Sequence, residues 1–162
     1  MATPKLKPKA EKIPYEERPD DQRLESNWKK ACGLYARDDF SAAVLRTATS
    51  AEIAANIYIR HFLMTDHNLP AKYVDALLVS ANGLDGKFRR LIKPAAEARG
   101  TWGALKALHK RIDALHKHRN SVAHAGYFMN AFDAEECFEN SLEVIRALAP
   151  NESQKLDLPY EG

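Results

Sequence analysis

The sequence has few of the residues that characterise several large protein classes. It contains only two cysteines, Cys32 and Cys137, so at most one disulfide can form and a multi-cysteine zinc site is excluded. We expect both cysteines to be reduced thiols in a cytoplasmic protein. Eight prolines and seven glycines in 162 residues are too few for a collagenous or wholly disordered chain.

Long apolar runs are also missing. None approaches the ~18 residues needed to cross a bilayer, so we expect no membrane span. The N-terminal stretch MATPKLKPKAEK has no apolar core, so we do not expect a secretory signal there. The length and the 45% hydrophobic content suit one soluble domain.

Charge is distributed unevenly, although the net charge is only +2. Residues 86–124 contain ten basic and two acidic side chains, whereas residues 125–162 contain two basic and eight acidic ones. A basic block of this kind favours a surface that faces a polyanion such as nucleic acid. The alternative is that the two blocks neutralise each other across a helical bundle.

Composition divides the chain into three parts. Residues 1–19 contain four prolines and no apolar periodicity, which predicts a flexible N-terminal tail. Residues 20–150 form the predicted domain, and residues 151–162 are predicted to be a C-terminal tail.

Apolar residues within the domain recur at three- and four-residue spacing, which is typical of amphipathic helices. No segment shows the sustained alternation of a strand. The predicted fold is therefore all-α, a bundle of four to five main helices. The final helix has Asp133 as its predicted N-cap and Pro150 as its end. The helices before it are predicted near residues 20–36, 40–66, 70–82, 87–93 and 101–118.

Polar chemistry is densest between His116 and His124. Arg119 follows two apolar positions of its helix by four and seven residues, so it extends the inward face and needs an anionic partner. His124 lies about 140° further around a straight helix. Asn120 and Ser121 are weak helix formers, so we expect a bend or a helix end near them that brings Arg119 and His124 into one cleft.

The segment Arg119-Asn120-Ser121-Val122-Ala123-His124 fits the R-x4-H form of a motif found in HEPN domains, including their frequent Arg-Asn start. The chain resembles that family over roughly residues 24–149. The resemblance implies a HEPN-like bundle and a metal-independent endoribonuclease, of a kind often found among toxins and antiviral defence effectors. It also implies a homodimer in which two motifs form one cleft.

Roles follow from this resemblance by motif position. Arg119 would hold the scissile phosphate and stabilise its growing charge. His124 would move a proton, and Asn120 would orient the cleft or the RNA. Some toxin members have a tyrosine two residues after the histidine, but here Gly126 has that place and Tyr127 follows it. Modification by a partner nucleotidyltransferase is therefore in doubt.

Several other side chains are candidates for supporting roles. Glu52, among alanines of the long helix, is a potential partner for Arg119 or His124, and a surface position is equally compatible with its spacing. His116 and Tyr127 are further supporting candidates. No metal or cofactor is predicted, because the motif has no carboxylate cluster. Candidate contacts to RNA phosphates are Arg89, Arg90, Lys93, Lys110 and Arg111.

Two functions of different classes remain open from the sequence. The first is the ribonuclease, with RNA as substrate. The second is a non-catalytic helical module that binds or regulates a partner protein, in which Arg119 and His124 serve structure or ligand binding. For either function, an antitoxin or another regulatory protein is a candidate partner.

Overall fold

A computed structural model describes residues 11–161, which contain helices and no strand. The predicted all-α class is confirmed, but the helices outnumber the four to five expected. The first ten residues of the tail predicted at residues 1–19 lie outside the described residues. The α-helices are α1 Asp20–Ala36, α2 Phe40–Arg60, α3 Ala71–Ser80, α4 Gly83–Lys87, α5 Lys93–Arg99, α6 Trp102–Leu105, α7 Leu108–Ala125, α8 Ala131–Leu148 and α9 Pro150–Ser153.

Helix α2 lies at the centre of the bundle and contacts α1, α4, α7 and α8. Its alanines explain how so many neighbours fit, because small side chains let the helix backbones approach closely. Ala43, Ala51 and Ala55 are completely buried. The helix continues beyond Arg60 as a π-helical segment, His61–Asp66, so the predicted span of 40–66 is matched by one continuous helical stretch.

The core between α1 and α8 is built around aromatic side chains. Trp28 and Phe138 meet edge to face with their ring centroids 5.3 Å apart. Such pairs contribute about 0.5–1.5 kcal/mol beyond the burial of their area. Leu142 and Ile145 extend the same face of α8 into the core.

The segment between α3 and α7 consists of short helical pieces, and this explains the excess over the predicted number. Gly83, expected just after the end of a helix, is instead the first residue of α4, with a φ of +81° that favours glycine. A π-helical segment, Phe88–Ile92, joins α4 to α5. Pro94 is the second residue of α5, directly after that π-helical segment.

Helix α7 is longer at its C-terminal end than predicted. It runs straight through Asn120 and Ser121 and ends only at Gly126, which has a φ of +62°. The expected bend is absent, and the side chains of both weak helix formers contact the preceding turn: Asn120 lies against His116. Ser121 Oγ donates to the carbonyl of Lys117 at 2.9 Å, and this leaves the backbone helical.

Helix α8 begins earlier than predicted, and its cap is Asn130 rather than Asp133. Asn130 Oδ1 accepts a hydrogen bond from the Asp133 backbone N–H at 2.8 Å. Asp133 Oδ2 accepts from the Asn130 N–H at 3.4 Å. This reciprocal capping box assigns Asp133 to the N3 position. The negative charge of Asp133 also interacts favourably there with the positive end of the helix dipole.

The predicted C-terminal tail packs onto the bundle in the described residues. Leu156 is buried, and the indole N–H of Trp28 donates to the carbonyl of Asp157 at 2.8 Å. The Tyr160 ring lies 5.7 Å from that of Tyr35. Apolar side chains at positions 156, 158 and 160 provide the contact area. The sequence did not predict this packing because the segment is short and flanked by prolines. At the other end, part of the predicted N-terminal tail forms a 3-10 turn, Tyr15–Glu17.

Candidate functional site

The motif residues lie in the last two turns of α7. Arg119 and His124 are both exposed. Because α7 stays helical between them, their side chains leave the helix about 140° apart, and one copy of the chain does not bring them into one cleft as the sequence predicted. A site that needs both groups therefore requires a second contributor.

Arg119 lines a cavity of about 480 Å³ between α2, α4 and α7. The sequence predicted an anionic partner for this guanidinium, yet no carboxylate pairs with it among residues 11–161. Ile112 and Leu115 lie two turns and one turn before Arg119 on the same helix, and they provide an apolar wall. An unpaired cation beside an apolar cavity wall is suited to hold an anion.

Glu52 lines the same cavity, but its ion pair is with Lys87 rather than with Arg119. Glu52 Oε1 lies 2.6 Å from Lys87 Nζ, and the Lys87 side chain is only 7% exposed. Lys87 was not identified from the sequence. The sequence did contain an indication, because Lys87 follows Leu84 by three residues and precedes Leu91 by four, so it occupies a position of the helical apolar pattern.

The remaining polar residues of α7 form local contacts. Asn120 Nδ2 lies 2.9 Å from His116 Nε2, so the Asn120 side chain is held against the preceding turn of α7. His116 lines the cavity together with Arg119. His118 Nε2 lies 3.5 Å from a carboxylate oxygen of Glu136 on α8.

The five candidate phosphate contacts do not form one surface. Arg90 is exposed and lines the cavity with Arg119, whereas Arg111 donates to Asn140 at 3.2 Å in a cleft that also contains Glu139 and Glu143. Lys93 lies over the Trp102 ring at 5.5 Å. Lys110 is exposed. Of these residues, the structure brings Arg90 alone to the cavity of Arg119.

Arg89 is occupied by a cluster of its own. Its guanidinium contacts Asp85 at 2.9 Å and His109 at 2.7 Å, and lies 3.8 Å from Asp113. Those three neighbours offer ligand atoms within 4.8 Å of one another, a spacing that a metal ion could use. A guanidinium among them already supplies the positive charge, so the cluster is explained as an ion-pair network.

The basic block is neutralised only in part by acidic residues of other segments. Lys87 pairs with Glu52, Arg89 with Asp85 and Arg99 with Asp66. These acids all precede residue 86. Within residues 11–161, no lysine or arginine of the block forms an ion pair with the acidic C-terminal block. Histidine provides the ion-pair contact between the two blocks, through His118 and Glu136.

Exposed aromatic side chains follow the motif directly. Tyr127 is 59% exposed, Phe128 is 89% exposed and Phe132 is 73% exposed. We call these three residues the aromatic patch. Phe128 and Phe132 were not identified from the sequence, because both precede Asp133, the predicted N-cap of the final helix. Large exposed apolar groups close together indicate a binding surface.

No family model matches this chain, and neither a curated protein nor a solved structure is significantly similar to it. The resemblance of the motif to HEPN domains therefore stays a prediction from the sequence. None of the helices in residues 11–161 has the length and hydropathy that a membrane span requires.

Proposed function

We propose that the chain is a HEPN-like, metal-independent endoribonuclease that acts as a homodimer on single-stranded or structured RNA. The observation that carries the proposal is the exposed Arg119, which has no carboxylate partner in residues 11–161 and lies on the same helix as the exposed His124. Arg119 is solvent-exposed at the edge of the cavity, where its guanidinium is accessible to a phosphate.

The chemistry follows from these two groups. The 2′-hydroxyl of the RNA attacks the adjacent phosphorus, the bond to the 5′-oxygen of the next nucleotide breaks, and a 2′,3′-cyclic phosphate forms. Arg119 stabilises the charge that develops on the phosphate oxygens. The attacking hydroxyl loses a proton and the leaving oxygen gains one, and the two His124 side chains of the homodimer carry out these two transfers.

Dimerisation is part of the proposal because of the geometry of α7. Arg119 and His124 diverge on one straight helix, so a composite cleft combines the motif of one protomer with that of its partner across a two-fold axis. The aromatic patch beside His124 supplies apolar area for that contact. The cellular setting that fits this activity is cytoplasmic, with an antitoxin or another regulatory protein as a restraining partner.

Purified protein incubated with RNA in EDTA tests the activity. We expect cleavage of RNA but not of DNA. Arg119→Ala should lower the cleavage rate about 10²–10³-fold, and His124→Ala about 10²–10⁴-fold. Arg119→Lys should also lose most activity, because an ammonium does not reproduce the bidentate guanidinium.

Matched controls separate catalysis from folding. Arg37→Ala removes an exposed arginine at the end of α1, and His118→Ala removes a histidine outside the motif. Both should cleave at close to the wild-type rate, with unchanged helical circular dichroism in every variant. Activity that disappears in EDTA, or that survives in Arg119→Ala, contradicts the proposal.

The second candidate is the non-catalytic binding module, which the aromatic patch favours because so much aromatic surface is exposed. It predicts no cleavage of any RNA by the wild type. It also predicts that substitutions in the aromatic patch abolish partner binding, whereas Arg119→Ala acts only through stability.

A further inference from the structure

The cavity beside Arg119 is lined by more polar and apolar groups than phosphate binding requires. Its volume of about 480 Å³ falls within the ~300–1,000 Å³ range of small-molecule sites. Ala48, Ile112 and Leu115 contribute apolar walls from α2 and α7. Glu52, Arg90 and Arg119 contribute charged groups of both signs to the same space. A flat apolar ring with polar edges suits such a lining better than a phosphate alone.

Glu52 is the carboxylate in the lining that is available to a ligand. Asp85 also lines the cavity, but both of its oxygens accept from Arg89 Nε, at 2.9 and 3.1 Å. Glu52 Oε1 accepts from the nearly buried Lys87, which fixes the position of the carboxylate. Glu52 Oε2 has no donor among residues 11–161, and a carboxylate accepts up to about four hydrogen bonds.

A fixed carboxylate discriminates between RNA bases by their donor pattern. Guanine presents two adjacent donors, N1–H and the N2 amino group, which together match the two oxygens of a carboxylate. Adenine presents the N1 lone pair at the same place and would be repelled. Uracil has a single N3–H between two carbonyls, and cytosine places an acceptor beside its amino group.

Arg90 supplies the complementary contact. It is exposed and forms no ion pair within residues 11–161. A guanidinium that donates to guanine O6 and N7 is the most common specific contact between proteins and bases. Glu52 and Arg90 thus serve the donor and acceptor edges of one guanine, while Arg119 in the same cavity contacts a phosphate.

We propose that this cavity is a guanine subsite, so that the RNA is cleaved next to guanosine. This inference rests on the proposed ribonuclease function for its biological setting. The selectivity of the cavity itself is a property of Glu52 and Arg90, and it is measurable without cleavage.

Direct binding tests the subsite. Calorimetric titration with guanosine 5′-monophosphate should give an affinity about tenfold or more above that for adenosine 5′-monophosphate. Inosine 5′-monophosphate lacks the 2-amino group and should bind more weakly than the guanosine nucleotide. Equal affinity for the guanosine and adenosine nucleotides, or no binding of either at millimolar concentration, overturns the proposal.

Variants identify the residues responsible. Glu52→Gln replaces one acceptor by a donor and should remove the preference for guanosine over adenosine. Arg90→Gln should weaken binding of the guanosine nucleotide about tenfold and provides a test that leaves the Glu52–Lys87 pair intact. Glu97→Gln changes an exposed glutamate on α5 and should bind like the wild type. A preference that is unchanged in both cavity variants overturns the assignment.

Cleavage provides the second readout. An RNA of A, C and U with a single G should be cut beside that G, and replacing the G by inosine should slow the cut. Cleavage that depends on Arg119 but ignores the base overturns the subsite and leaves the ribonuclease standing. Guanosine-selective binding without any cleavage supports the subsite and contradicts the ribonuclease.

Discussion

Cys137 on α8 is completely buried, whereas Cys32 on α1 is partly exposed. Burial raises the pKa of the Cys137 thiol from 9.0 to about 12. The folded protein therefore keeps this proton at pH values where the unfolded chain loses it. The stability that Cys137 contributes is complete below pH 9 and declines as the pH rises towards about 12.

Alkylation with iodoacetamide at pH 8 should therefore modify Cys32 well before Cys137. The reagent needs an exposed thiolate, so Cys137 should react only as fast as the core opens. Mass spectrometry of the labelled protein measures both sites, and Cys32→Ser isolates the reaction of Cys137. Equal labelling of the two thiols in the folded protein would contradict the buried position of Cys137.

At the level of single residues, the sequence predicts only part of the site. The Arg119 and His124 positions are visible as a motif, but the ion pair of Glu52 with Lys87 joins residues 35 positions apart. Their contact depends on how α4 packs against α2, which periodicity does not contain. The partner of a buried charge depends on packing, so the sequence suggested Arg119 or His124 as the partner of Glu52, whereas the structure has Lys87.

The capping box of α8 provides a test of a whole element. Asn130→Ala removes the acceptor for the Asp133 N–H and should lower the free energy of unfolding by about 1 kcal/mol. Asn130→Asp preserves an acceptor and should leave stability nearly unchanged. Urea denaturation measures the difference, with Asn151→Ala at an exposed position as the control. A loss in Asn130→Ala no larger than in Asn151→Ala would exclude this cap.

Helices were predictable where they are long and strongly periodic. The alanine and aliphatic stripe of α2 and the apolar face of α8 specify both elements. The ends were less predictable, because side-chain hydrogen bonds decide them. Ser121 stays within α7, where its hydroxyl donates to the Lys117 carbonyl. Asn130 caps α8 three residues before the predicted cap, Asp133.

Self-association is the property of the whole molecule that the proposed function requires. Replacing both Phe128 and Phe132 by serine should raise the dimer dissociation constant at least about tenfold, because buried aromatic anchors dominate the energy of interfaces. Light scattering at micromolar concentration measures the change, and RNA cleavage should fall with the dimer fraction.

Val79→Ser is the matched control, since Val79 is 80% exposed on α3, away from the motif helix in the chain. It should leave both dimer and activity unchanged. A wild-type protein that is monomeric at these concentrations, or a double variant that stays fully dimeric, contradicts the proposed role of the aromatic patch.

The nearly buried Lys87 has a consequence for the amine chemistry of the protein. Acylating reagents attack an uncharged, solvent-accessible amine, and Lys87 Nζ is enclosed and held by Glu52. Exposed lysines such as Lys93 and Lys110 offer no such protection. Lys87 is therefore shielded from acetyl donors in the folded protein, and its acylation would leave Glu52 without its counter-ion.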